Sequence, residues 1–275
     1  MATTTQITAP VRTTTPLALW HLLSLDAPTV AALWTFFIAR ATHTYIPVAL
    51  TAAMFFAVWI LYAADRLLDT RHLHSAGRRY RTSELEARHL FHFRHRREFL
   101  ALIPLAAIAV TALLPNLLTT TIHLYLLEGA VLAGWFLLVH TTRSHLPKQL
   151  VVGLYFAAAT FTPTLVRHAG PVPALLIHAA FFATLCTLNC LFIDAWEEDL
   201  RSQHTQLTTT AALLAGSTLV VSALTTAPAI PTATALAAAS LLALHTVRHR
   251  VSRTHLRAAA DLALLTPALM LPFLR

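Results

Sequence analysis

A chain of 275 residues that is 56% hydrophobic and only 12% charged, with a mean hydropathy of +0.62, is too apolar for an ordinary soluble domain and reads as a polytopic membrane protein. Its formal net charge of +8 comes from nineteen arginines and one lysine. These lie between apolar runs rather than on one basic domain, which argues for membrane topology and against a nucleic-acid partner.

Residues 1–16 are Thr-rich, lack a charged start followed by a short apolar core and a cleavage site, and read as a disordered tail rather than a signal peptide. Residues 17–275 read as one all-α transmembrane domain of about nine helices. The apolar runs are approximately Leu22 to Ile38, Ile46 to Tyr62, Phe99 to Leu114, Ile122 to His140, Leu150 to Val166, Ala174 to Ile193, Thr209 to Thr225, Ile230 to His245 and Leu256 to Leu274. Pro47, Pro115, Pro147, Pro171, Pro173, Pro228 and Pro231 fall at or beside their ends, where a missing N–H costs least. The connections after the even runs, together with Arg12, carry seventeen basic residues, against three elsewhere: Arg40, Arg167 and Arg275. Basic loops stay cytoplasmic, so the expected topology puts the N-terminus inside and the C-terminus outside, with membrane lipids as surroundings.

The second run ends at Asp65-Arg66-Leu67-Leu68-Asp69. Four residues is about one helical turn, so both carboxylates leave one face and repel by roughly 3 kcal/mol at about 5 Å and an effective dielectric of about 20. Something positive is wanted there, either Arg66 and Arg71 in local ion pairs or a metal ion. The long loop 70–98 follows, with eight arginines and with His72, His74, His89, His92 and His95. Residues 83–98 read as a helix with a Ser83/Glu86 capping box, either a basic interfacial helix or a set of anion contacts, and its positive charge argues against a histidine metal site. Arg143 and Lys148, after the fourth run, are either topological anchors or phosphate donors.

The sixth run closes on a second acidic cluster, Asp194, Glu197, Glu198 and Asp199, so that two places hold half of the chain's twelve acidic residues. Cys186, Cys190, Asp194 and Glu198 recur every four residues as one stripe, and the cysteines read as small hydrophobes with no disulfide framework. Asn189 is a polar group inside the apolar region, either an interhelical hydrogen bond or part of a cavity lining with Tyr62 and Cys190. Two acidic helix ends ringed by basic residues suit Mg²⁺ bridging a diphosphate. Asp65, Asp69, Asp194, Glu197, Glu198 and Asp199 are the candidate ligands, and Asp65, Asp69, Asp194 and Glu198 the candidate catalytic set. Arg66, Arg71, Arg143, Lys148 and Arg201 are the candidate diphosphate donors.

On these residues the chain resembles the UbiA superfamily of intramembrane prenyltransferases. Asp65 to Asp69 looks like the end of that family's Asn-Asp-x-x-Asp-x-x-x-Asp motif, whose leading Asn and Asp would fall on Leu61 and Tyr62. Arg143 to Gly153 is similar to its basic, Leu-Pro-containing connection, and Asp194 to Arg201 to its second acidic motif, with irregular spacing. The resemblance implies Mg²⁺-dependent transfer of a prenyl group from an allylic prenyl diphosphate to a hydrophobic, lipid-embedded acceptor, with a bacterial inner membrane as the setting. Two other readings stay open. One is an inactive relative that binds an isoprenoid phosphate. The other is a small-molecule transporter, for which Asn189, Glu128, His178 and Asp261 are the intramembrane polar candidates.

Overall fold

In a computed structural model, residues 15–75, 91–142, 148–197, 203–225 and 228–274 are described, with backbone alone for 69–75, 136–137 and 139–142. Every regular element among them is helical. The longer helices are α1 (Pro16–Leu22), α2 (Asp26–Ala41), α3 (Val48–Ser75), α4 (Arg96–Leu113), α5 (Thr119–Thr142), α6 (Lys148–Arg167), α7 (Val172–Glu197), α8 (His204–Leu224), α9 (Ala229–Val247) and α10 (Arg253–Ala263), followed by a short α11 (Pro267–Met270).

Seven segments among the described residues are long and apolar enough to cross a membrane, which makes the protein a helical membrane bundle: Val48–Leu68, Arg96–Asn116, Lys148–Arg167, Val172–Glu197, His204–Leu224, Ala229–Arg250 and Arg253–Phe273. Helix α5 covers the expected fourth run. Outward faces of α4, α5 and α8 expose Leu100, Leu105, Ile108, Leu126, Val131, Leu213 and Val220, as a lipid-facing surface requires.

Two expected runs are not straight. The first is split between α1 and α2, which meet at 90°. Ser24 sits in the left-handed region at φ 56° and turns the chain there. Ser24 Oγ is 3.2 Å from His92 Nε2, and Trp59 Nε1 donates to the Leu23 carbonyl at 3.1 Å, so α3 and the segment before α4 hold the bend. The last run breaks after α10, where Pro267 and Pro272 remove backbone donors.

The core is aromatic and small-residue packing between α2, α6, α7, α9 and α10. Trp34 is fully buried against Phe182, with ring centroids 4.3 Å apart, and its Nε1 donates to the Leu264 carbonyl at 2.8 Å. Helices α6 and α7 approach closely at Gly153, where a Cβ would lie 2.7 Å from the Ala183 carbonyl oxygen and 2.9 Å from the Thr187 nitrogen. That contact presses the start of α6 against the half of α7 that carries Asn189 and Asp194.

Candidate functional site

Helical spacing puts Tyr62, Asp65, Arg66 and Asp69 on one face of α3, and Cys190, Asp194 and Glu197 on one face of α7. The two helices do not pack directly on each other: α3 packs chiefly on α2 and α4, and Tyr62 sits against Ala27, Ala31, Met54, Val58 and Ala159. Tyr62 lies within electrostatic range of Cys190, Asp261, Asp26 and Arg66. Cys190 is likewise in range of Asp261, Asp194, Arg257 and Lys148. Asp261 lies in range of both, so Tyr62 on α3 and Cys190 on α7 border the same part of the bundle.

Two levels are distinguishable. The upper level contains half-buried Asp194 and exposed Lys148; Asp65, also half-buried, lies one turn beyond Tyr62 on α3. Gln149, one residue into α6, donates from Nε2 to Asp194 Oδ2 at 2.5 Å and so fixes that carboxylate. Glu197 is held by Arg257 of α10, with Arg257 Nη1 2.6 Å from its Oε1 and both side chains about one-fifth exposed. A carboxylate so paired is less free for a cation than Asp194. Asp69 and Arg71 continue α3, but their side chains lie outside the described residues, as do Arg143, Glu198, Asp199 and Arg201.

The lower level is about 7.5 Å deeper along α7, the rise of the five residues from Asp194 back to Asn189. Asn189 Nδ2 donates to Asp261 Oδ1 at 2.9 Å, an interhelical hydrogen bond between α7 and α10. His21 Nδ1 is hydrogen-bonded to Asp26 Oδ2 at 2.5 Å, and Asp26 Oδ1 accepts from the Ala27 N–H at 3.0 Å. Ligand atoms of His21, Asp26 and Asp261 all lie within 4.8 Å of one another. His21 and Asp26 are each only 4% exposed. Asp261 was among the intramembrane polar candidates with Asn189, Glu128 and His178, whereas His21 and Asp26 were not. Their signal was present: Asp26 and Asp261 are acidic residues in apolar surroundings, remote from both acidic clusters, and such groups seldom stand alone in a membrane bundle.

The histidines of loop 70–98 do not assemble a site among the described residues. His92 is fully buried against Phe99, 4.6 Å between centroids, while His95 lies 3.9 Å from Glu98. His89 falls outside the described residues.

Carboxylates, an amide and basic groups thus gather towards one end of an apolar bundle. Comparison with known proteins gives no match to a family model, to a curated sequence or to a solved structure.

Proposed function

We propose that the protein is an intramembrane prenyltransferase of the UbiA type, with nine crossings and the acidic helix ends facing the cytoplasm. It transfers a prenyl group from an allylic prenyl diphosphate to a hydrophobic acceptor. The observation that carries this reading is that Tyr62 near the first motif and Cys190 beside the second lie within electrostatic range of each other and of Asp261, with Arg66 in range of Tyr62 and with Asp194 and Lys148 in range of Cys190.

The upper donors fit Mg²⁺ in chemistry. Asp65 and Asp194 supply carboxylate oxygen, and the Gln149 hydrogen bond leaves Asp194 Oδ1 available to a hard cation. Asp69 continues α3, Glu198 and Asp199 follow Glu197 in sequence outside the described residues, and Glu197 fits less well because Arg257 holds it. When bound, Mg²⁺ would offset phosphate charge and make diphosphate a better leaving group.

The remaining work belongs to the chain. Arg66 and Lys148 oppose diphosphate charge, Gln149 orients Asp194, and Tyr62 and Cys190 lie beneath with the apolar flanks that keep water from the reacting carbon. The experiment is incubation of purified protein with radiolabelled prenyl diphosphates of several lengths and a lipid extract, with and without Mg²⁺. Labelled lipid product that requires Mg²⁺ supports the reading. Binding without product favours an inactive isoprenoid-phosphate binder, and uptake into vesicles without product favours a transporter.

A further inference from the structure

Beneath the acidic helix ends, four elements of the bundle each contribute one polar side chain to a single point: His21 from α1, Asp26 from α2, Asn189 from α7 and Asp261 from α10. Burying a carboxylate in an apolar bundle is costly unless it is neutralised, and here two carboxylates are neighbours. Asp26 has His21 and one backbone N–H, whereas Asp261 has the neutral Asn189 amide and a hydrogen bond with Asp26 itself, so no cation pairs directly with it among the described residues. Arg257 is in range but is held by Glu197, and Arg66 acts on the pair from α3. An independent feature points the same way. Asn189 is 6% exposed, its amide is already joined to Asp261, and its Oδ1 has no hydrogen-bond partner. Amide oxygen and nitrogen exchange places by a half-turn of the side chain, which would present Oδ1 to the carboxylate pair as a further ligand.

We propose that His21, Asp26, Asp261 and Asn189 form a binding site for one divalent transition-metal cation of the zinc or manganese class, distinct from the Mg²⁺ site at the upper level. The donor set selects the class: an imidazole nitrogen with two carboxylates and an amide oxygen is the set of a borderline cation, whereas Mg²⁺ and Ca²⁺ prefer oxygen alone. Ligand atoms about 2.1 Å from a metal stand about 3.4 Å apart in a tetrahedron; the three titratable ligands fall within 4.8 Å of one another, and the 2.5 Å His21–Asp26 hydrogen bond must give up its proton and open by about 0.9 Å for both to ligate. The ion neutralises the paired carboxylates and ties the bent α1–α2 corner to α7 and α10. None of this depends on prenyl transfer.

The test is the metal content of the full chain, purified in detergent, stripped with chelator, dialysed against ZnCl2 or MnCl2 and desalted before quantification. About one equivalent of one of the two metals per chain is expected, with a rise in melting temperature. Retention should fall at least about tenfold in His21→Gln and Asp261→Asn, and stay unchanged in Asp65→Asn and Asp194→Asn, which separates this site from the upper one. X-ray absorption of the metal-loaded wild type should show one nitrogen and two or three oxygens at about 2.1 Å, a result that needs no variant to fold. Folded wild-type protein that retains no metal would overturn the proposal and leave the two carboxylates sharing a proton. Equal retention in folded His21→Gln would overturn it too, by assigning the metal to surface histidines.

Discussion

His21 Nδ1 and Asp26 Oδ2 lie 2.5 Å apart because the helices carrying them meet at a right angle. In one continuous helix, residues five apart point about 140° away from each other. The turn at Ser24 brings them face to face, and Trp20 Nε1, donating to Thr29 Oγ1 at 3.3 Å, spans the same corner. The polar lower level thus depends on one residue with positive φ.

Ser24→Val should therefore lower stability by about 2 kcal/mol, since a β-branched side chain resists φ 56°. Ser24→Gly removes the same contact to His92 without opposing the backbone, so it should cost less than Val. Thermal melting of the two variants in detergent checks the order. Equal loss would place the effect in the His92 contact instead.

Asp26→Leu should cost about 3 kcal/mol, because it leaves His21 buried without its carboxylate. The double variant His21→Leu/Asp26→Leu should recover part of that loss, since replacing both members of a buried pair is better tolerated than removing one. A double-mutant cycle on melting or denaturant midpoints measures the coupling.

Glycines make a sharper contrast. Gly153→Ala pushes a methyl group into backbone atoms of α7 and should destabilise by about 1–3 kcal/mol. At Gly216 a Cβ meets nothing within 4 Å, so Gly216→Ala should be neutral or stabilising by up to about 1 kcal/mol through helix propensity. Melting temperatures moving in the same direction for both would remove the close-packing explanation.

The helical membrane character and most of the helix positions were legible because long apolar runs and flanking prolines are local signals. Asn189 was also legible as an interhelical hydrogen bond, since an amide in an apolar run has few other uses. Its partner was not, because Asp261 is 72 residues away and only the packing of α10 on α7 selects it. The bend at Ser24 escaped for a similar reason. Leu22–Leu23–Ser24–Leu25 is apolar enough to continue a helix, and the left-handed serine is stabilised by Trp59 and His92 from remote segments. Arg257 is one of the seventeen basic residues that signal topology, yet its side chain is only about one-fifth exposed and holds Glu197.

The distribution of basic residues, seventeen against three, predicts an orientation. Reporter fusions should place loop 70–98 in the cytoplasm and the C-terminus outside. A cytoplasmic C-terminus would break the count of nine crossings and put the acidic helix ends in question as a shared site.

The proposed chemistry rests on the upper carboxylates, and their environments differ enough to give separate expectations. Asp65→Asn keeps shape while removing a charge, so Mg²⁺-dependent product formation should fall at least about a hundredfold, equivalent to about 2.7 kcal/mol of transition-state stabilisation. Asp194→Asn should fall likewise and should also disturb the Gln149 hydrogen bond. Gln149→Leu tests that positioning directly: Asp194 keeps its charge but loses its orienting donor, so turnover should drop by about tenfold and recover with more Mg²⁺. Excess Mg²⁺ should not rescue Asp194→Asn to the same extent, since the charged ligand itself is gone. Lys148→Gln should weaken prenyl diphosphate binding if the ammonium opposes phosphate, and leave binding unchanged if it is a membrane anchor. Full turnover in a folded Asp65→Asn/Asp194→Asn double variant would show that these carboxylates are surface groups and that the reaction, if any, lies elsewhere in the bundle.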